Sequence, residues 1–387
     1  MVIIETLFWI SVFFVAYTYV IYPATAYLLS KNSHEWPSTS EPLPVPSVSV
    51  VISVFNEERV LHSKLENLQR IEYPLDRMTF LFGSDGSTDQ TALILEGANL
   101  PGICVRSFLD RRGKASVLND LVSQATGEIV VFSDANTMFQ PNTIGKLVRH
   151  FADPGVGAVS GELRLAEHPE TISSIGEASY WDYENLLKRM ESDVESILGA
   201  TGGVYAIRRK LYEPLPTNKA VTDDFLIPLN IVKKGYRVKY DREALAFEKG
   251  AGSVGSEFRR KVRIGAQNFN TISEIASLLH PRHGFVAFAL WSHKIIRWCV
   301  PFLLIGVVAS CSILAWDNSF YSKCLWGILV FVGAAILGFV CELLKIQVGA
   351  LTLPYYFIAM NAALFLGFVR FLLGKERPTW DVVRNSP

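Results

Sequence analysis

Three acidic clusters follow one another along the 387-residue chain: Gly83-Ser84-Asp85-Gly86-Ser87-Thr88-Asp89, Ser133-Asp134-Ala135-Asn136 and Val221-Thr222-Asp223-Asp224-Phe225. Carboxylates at such places can do three different jobs. One can hold a base or ribose, one a divalent cation, and one can take a proton. Asp85 suits the base or ribose, because Gly83 and Gly86 let the backbone approach a ligand closely. Asp134 and Asn136 stand at i and i+2 past an apolar run, so both can face one cation. Mg²⁺ or Mn²⁺ prefers oxygen ligands, mostly carboxylate, diphosphate and water. Bound there, it would neutralise charge on a leaving diphosphate. Asn136 brings a neutral carbonyl oxygen, which makes the site weaker than a pair of carboxylates. Thr222-Asp223-Asp224 opens a helix, where a carboxylate can take a proton from an acceptor hydroxyl.

Each cluster alone also reads as a turn or a helix cap, with acidic residues favourable to the helix dipole. Two further elements add to them. Arg111-Arg112-Gly113-Lys114-Ala115 precedes a helix, a place suited to phosphate or a carboxylate partner, although it lacks full P-loop spacing. Gly199-Ala200-Thr201-Gly202-Gly203 is small enough to leave room for an acceptor, or forms a turn.

The elements that must position these residues alternate. The apolar run Val48–Val54 predicts a strand leading into Phe55-Asn56-Glu57-Glu58, the first half of a nucleotide pocket. Further strands are predicted at Met78–Phe82, Ile103–Phe108 and Glu128–Phe132. Helices are predicted at Glu57–Gln69, Asp89–Gly97 and Lys114–Ala125. This βαβα order argues an α/β fold with a mostly parallel sheet covered by helices. The acidic clusters then fall at strand ends, where open α/β sheets bind ligands. Beyond it the pattern is mixed. Strands are predicted at Val156–Leu163, Gly203–Ile207 and, as an edge strand, Tyr236–Tyr240. Helices are predicted at Thr171–Met190 and at Asp223–Val232, with Thr222 as N-cap.

Composition sets this domain beside a membrane. The chain is 50% hydrophobic, too much for an ordinary soluble domain, and 19% charged, too much for one wholly within lipid. Lys+Arg 37 balance Asp+Glu 37, so no global charge suggests nucleic acid. The first apolar segment, Phe8–Leu29, has no preceding Lys or Arg and reads as a retained span rather than a signal peptide. Lys31 is the first positive charge, which puts the N-terminus outside and the next domain in the cytoplasm. A Pro-rich linker (31–47, with Pro37, Pro42, Pro44 and Pro46) leads to the main domain (48–255). Residues 256–298 read as amphipathic interface helices. They include Ser292–Trp298, which ends as an aromatic-basic anchor. About three spans then fit into 299–373, near 299–316, 324–344 and 351–373, before a tail at 374–387. Four spans return the C-terminus to the outside, against the basic cluster Arg370, Lys375, Arg377 and Arg384. Four of the 5 Cys lie in the apolar C-terminal third and read as buried hydrophobes rather than disulfide partners.

With these motifs in order, the chain resembles membrane-bound glycosyltransferase family 2, whose catalytic domain has the GT-A fold, a Rossmann-like mixed sheet flanked by helices. Val50–Glu58 looks like the family's opening nucleotide-binding strand, which marks Val54, Asn56 and Glu57. Asp85 matches the base-contacting Asp, and Lys114 stands in the following Gly-Lys-Ala element. Asp134-Ala135-Asn136 stands where the D-x-D metal motif stands. Gly202-Gly203 resembles the acceptor-pocket element, and Thr222-Asp223-Asp224 the T-E-D motif, which assigns the base to Asp224 and puts Asp223 beside the acceptor. Polymer synthases of the family (cellulose, hyaluronan and chitooligosaccharide synthases) also carry Q-x-x-R-W. Here Arg263 is kept, while Arg260 replaces Gln and Ile264 replaces Trp. Arg260 and Arg263 are then the diphosphate and acceptor side of the site.

The resemblance implies an inverting transferase that moves a sugar from a UDP-sugar, with Mg²⁺ or Mn²⁺, to a polysaccharide or lipid-linked saccharide at a bacterial plasma membrane. Few spans for an export channel imply a homo-oligomer or an export partner. The alternatives are a glycolipid-forming transferase of ceramide-glucosyltransferase type, or a degenerate, nucleotide-binding membrane scaffold.

Overall fold

The computed structural model describes residues 1–32, 45–165, 171–248 and 254–376. Pro37, Pro42 and Pro44 of the linker, and Arg377 and Arg384 of the tail, lie outside the described residues.

An eight-stranded mixed sheet forms the centre: β1 (Val48–Val54), β2 (Met78–Asp85), β3 (Ile103–Phe108), β4 (Ile129–Phe132), β5 (Met138–Phe139), β6 (Val156–Leu165), β7 (Tyr205–Arg208) and β8 (Arg237–Glu248). Their order across the sheet is β3-β2-β1-β4-β7-β6-β8-β5. Every residue of β1 is buried, as a strand covered on both faces requires. β1 pairs in parallel with β2 and β4, so all three end at one edge of the sheet. Asp85 is the last residue of β2, and Ser133-Asp134 follow β4. The parallel half therefore delivers the first two acidic clusters together.

The mixed half departs from the expectation at one strand. Tyr236–Tyr240 was expected at an edge, but β8 runs to Glu248 and is interior. It pairs in parallel with β6 and antiparallel with the two-residue β5. An alternating pattern reports that one face is covered; it does not report whether both hydrogen-bonding sides are taken. The helices come close to expectation, as Glu58–Gln69, Thr91–Glu96, Lys114–Gln124, Ile172–Val194 and Asp223–Lys233. Thr143–Arg149 is an additional one.

Among the described residues, four helices are long and apolar enough to cross a membrane: Val2–Lys31, Pro281–Leu314, Ser319–Leu343 and Gly349–Leu372. The first contains a π-type turn, Tyr17–Ile21, just before Pro23, whose ring removes a backbone donor. The second corrects the expected boundary. Ser292–Trp298 is not an exposed anchor ahead of a span but lies within one helix, with Ser292, His293 and Trp298 buried. The cause is pairing that no local pattern reveals. Glu184 takes Arg297 and, at 3.5 Å, Lys294, while Glu191 takes His293 at 2.6 Å and the Tyr22 hydroxyl at 2.6 Å.

The last helix keeps company with the α/β domain. Tyr356 packs against Gly176, where an added Cβ would come within 2.5 Å of its ring. Gly367 lies against the backbone of the Val254–Ile275 helix, where an added Cβ would meet the Val262 carbonyl oxygen at 2.8 Å. Phe368 and Phe371 close on Phe269 with ring centroids 5.1 and 5.9 Å away. The last helix also packs on the second and third apolar helices, with Phe302 4.9 Å from Phe368 and Phe331 6.0 Å from Phe357 between ring centroids, while a buried cluster of Phe8, Cys311, Leu314 and Tyr321 joins the first three. The described cysteines are all free thiols.

Candidate functional site

A cavity of ≈ 1480 Å³ opens beside the strand ends. Glu57, Lys114, Asp134 and Asn136 line one side, and Gly202, Gly203, Asp223 and Asp224 the floor. Arg260, Arg263 and Ile264 of the Val254–Ile275 helix line another part, as do Tyr19 and residues of the last helix from Gly349 to Leu364. Ten of the residues singled out in the sequence thus meet around one space. Val54, Asn56 and Asp85 do not line it.

Those three are held within the fold. Val54 is buried in β1. Asn56 adopts φ 51 and accepts from the Thr88 amide at 2.8 Å, tying the first strand's turn to the first acidic cluster. Asp85 is fully buried, and its two oxygens accept from the amides of Arg112 (2.7 Å) and Gly113 (2.9 Å). It thereby holds the turn that presents Lys114. Gly86 (φ 66) allows this approach, since a Cβ there would come within 2.9 Å of the Arg111 nitrogen.

Lys114 opens its helix and reaches two acidic clusters at once. Its Nζ lies 3.0 Å from Asp134 Oδ1 and 3.3 Å from Asp223 Oδ1. Burial pulls this ammonium's pKa down, but Asp134, Asp223 and Asp224 together outweigh burial and hold it above the ordinary value.

Asp224 lies in the first turn of its helix. Thr222 occupies the N-cap position without making the side-chain cap; its hydroxyl donates to Asn268 Oδ1 at 3.2 Å. Burial first, then the neighbouring Asp223 charge, pushes the Asp224 carboxyl up to about 7, against the pull of Lys114 and Lys188. A carboxylate so placed is suited to accept a proton near neutral pH.

Three further contributors were not assigned to the site from the sequence. Lys188, from the Ile172–Val194 helix, lines the cavity and donates to Thr201 Oγ1 at 2.7 Å; burial lowers it to about 8. Glu248, at the end of β8, lines the cavity and accepts from Asn136 Nδ2. Burial pushes its carboxyl up to about 7, with Asp134 adding and Arg260 opposing. Trp298 lines the cavity and packs on Phe225 and Phe269, with centroids 5.8 Å from each. It is an aromatic wall from a different helix than the one where Ile264 replaces Trp. Arg260 pairs with Glu257 (2.8 Å) and Glu177 (2.9 Å), so part of its charge is spent within the fold.

Among the described residues, no group of three His, Cys, Asp or Glu side chains stands ready to hold a metal alone. Asp134, whose side chain is 36% exposed, and the Asn136 amide fit a Mg²⁺ or Mn²⁺ that completes its shell from diphosphate and water.

Comparison with known proteins agrees with this geometry. Residues 49–215 match the family model for glycosyl transferase family 2. Poly-beta-1,6-N-acetyl-D-glucosamine synthase of Staphylococcus epidermidis is 24% identical over 245 residues, 62% of this chain and 57% of that protein. The synthase of Staphylococcus aureus (strain COL) is 23% identical over 221 residues, 56% of this chain and 53% of its own. The chain therefore spans little more than half the length of these relatives. Among solved structures, the mannosyltransferase PcManGT of Pyrobaculum calidifontis, in complex with GDP-Man and Mn²⁺, superposes with TM-score 0.72 at 25% identity, covering 96% of this chain and 100% of its own. Sheet order, motif placement and these likenesses together mark residues 49–215 as a glycosyl transferase family 2 domain with the GT-A fold.

Proposed function

We propose that this glycosyltransferase moves a hexose from a UDP-sugar, with inversion, to a saccharide or lipid-linked acceptor that reaches the site from the membrane. The observation that carries the reading is the cavity itself. Asp224, Lys114, Asp134 and residues of the last apolar helix from Gly349 to Leu364 all line one space. The donor diphosphate lies toward Lys114, and the acceptor toward Asp224. Asp224 takes the acceptor hydroxyl's proton as that oxygen bonds to the anomeric carbon. The bond to the diphosphate breaks on the opposite face, and UDP leaves with the electron pair. One displacement inverts the centre. Asp134 and Asn136 would hold a divalent cation, which would supply neutralisation of charge on the departing diphosphate.

The similarity to poly-beta-1,6-N-acetyl-D-glucosamine synthases supports synthesis of an exopolysaccharide-type product. If that product is exported, a second copy or an export partner completes the path. The site residues Val54, Asn56, Glu57, Asp85, Arg260 and Arg263 are assigned to the donor and acceptor on motif position. A second reading has a specific observation behind it: the solved relative with TM-score 0.72 is a mannosyltransferase complexed with GDP-Man, which favours a GDP-sugar donor. The wall formed by apolar helices also favours a glycolipid product.

We also assign the catalytic domain to the cytoplasmic face of a bacterial plasma membrane, with the first three apolar helices crossing it. The last helix lies along the inner face against the Val254–Ile275 helix. That arrangement puts Arg370 and Lys375 on the cytoplasmic side and removes the conflict with the positive-inside rule.

The test is nucleotide release and product mass, measured on full-length protein in detergent with Mn²⁺ and a panel of UDP-sugars and GDP-mannose. Release from one UDP-sugar, with product masses increased by hexose units, is expected. Release from GDP-mannose alone would replace the donor assignment. No release from any donor would sink the transfer reading.

A further inference from the structure

The second cluster has one carboxylate where the family motif has two, and the fold brings another carboxylate to the same place. The two-residue strand β5 begins two residues after Asn136 and pairs antiparallel with β8, Met138 opposite Phe247 and Phe139 opposite Ala246. This register sets the residue after Phe247 beside the acidic turn. That residue is Glu248. Asn136 Nδ2 donates to its Oε1, which orients the carboxylate and leaves its second oxygen for another partner. Glu248 lines the same cavity as Asp134 and Asn136.

Among the described residues, no basic side chain forms a close ion pair with Glu248. Arg260 is the basic side chain whose field reaches Glu248, but its close ion pairs are with Glu177 and Glu257. A partly buried carboxylate without a close cation is costly. A carboxylate beside Asp134, with the Asn136 amide between, has the chemistry of an oxygen site for a hard divalent cation.

We infer that Glu248 supplies the second carboxylate of the cation site, the charge that Asn136 does not bring. The inference rests on the reading of Asp134 as a cation ligand. It assigns three donors, Asp134, Asn136 and Glu248, drawn from both halves of the sheet. The short β5–β8 pairing is what joins them.

The test is Mn²⁺ binding, followed by electron paramagnetic resonance on full-length protein in detergent with saturating UDP. Glu248→Gln keeps the side chain's size and an acceptor for Asn136 but removes the charge. Its Mn²⁺ affinity should fall about tenfold or more, while UDP affinity in EDTA stays at the wild-type value. Adding Asn136→Asp to Glu248→Gln should restore Mn²⁺ binding, which a purely structural role for Glu248 would not do. Asp134→Ala is the reference. If it loses Mn²⁺ while Glu248→Gln stays within about twofold of wild type, the Glu248 assignment is wrong and the cation site stands. If wild-type protein adds nothing to Mn²⁺ binding by UDP alone, both fall. If Glu248→Gln also loses UDP affinity in EDTA, the residue braces the pocket and is no cation ligand.

Discussion

Gly202 and Asp224 stand so close that a Cβ on Gly202 would lie 2.9 Å from Asp224 Oδ2. The absence of a side chain at one position thus sets the place of the carboxylate at the other. The backbone reinforces this, since the Ala200 amide donates to the Asp224 carbonyl at 2.7 Å. Gly202→Ala should push the Asp224 carboxylate off its position. Displacements of this size at a reacting group cost about tenfold to a hundredfold in rate. We expect kcat to fall in that range while nucleotide affinity, measured by calorimetry, is kept.

The pH profile follows from the charges around Asp224. A base must be ionised, and burial with Asp223 holds this carboxyl near about 7, so kcat/KM should rise as pH increases through that value. Asp223→Asn removes a like charge and should move the acid limb to lower pH. Lys188→Met removes a favourable charge and should move it to higher pH. Shifts of the same sign in both variants would exclude Asp224 as the titrating group.

A third prediction concerns the seam between the α/β domain and the second apolar helix. Glu184 is 8% exposed and balances Arg297 and Lys294. Glu184→Ala leaves those charges without their counter-ion, a change that costs about 3–5 kcal/mol when the pair is buried. Thermal unfolding in detergent should shift down sharply. An unchanged midpoint would mean that solvent reaches these charges.

The position of the last helix makes a topological prediction. Lying along the Val254–Ile275 helix, it returns the C-terminus to the side of the catalytic domain. A C-terminal green fluorescent protein should fluoresce, and a C-terminal alkaline phosphatase should be inactive. The reverse result would mean that this helix crosses.

Cation removal should also be visible. EDTA should abolish transfer, and Mn²⁺ or Mg²⁺ should restore it, because Asp134 and Asn136 need a counter-ion to hold a diphosphate. Full activity in EDTA would contradict the cation assignment.

The sequence shows the parallel half of the fold well, because each buried strand there is a continuous apolar run ending in a polar turn. Asp134 and Asp224 stand out for the same reason: each interrupts a strong local pattern. Glu248 and Lys188 do not, since each is one charged residue in an ordinary strand or helix and acquires meaning only through a partner far along the chain. Ser292–Trp298 was misread as an interfacial anchor because its partners, Glu184 and Glu191, come from a different helix. Asp85 was legible as an acidic turn, but its use of both oxygens on the Arg112 and Gly113 amides depends on how β2 meets the next loop.

The central claim is that Asp224 is the base. Asp224→Asn keeps the shape and removes the proton acceptor. With full-length protein, donor and acceptor, this account predicts nucleotide affinity at the wild-type level and a turnover reduced by about 10²–10⁴-fold. Turnover close to that of the unaltered protein would contradict it.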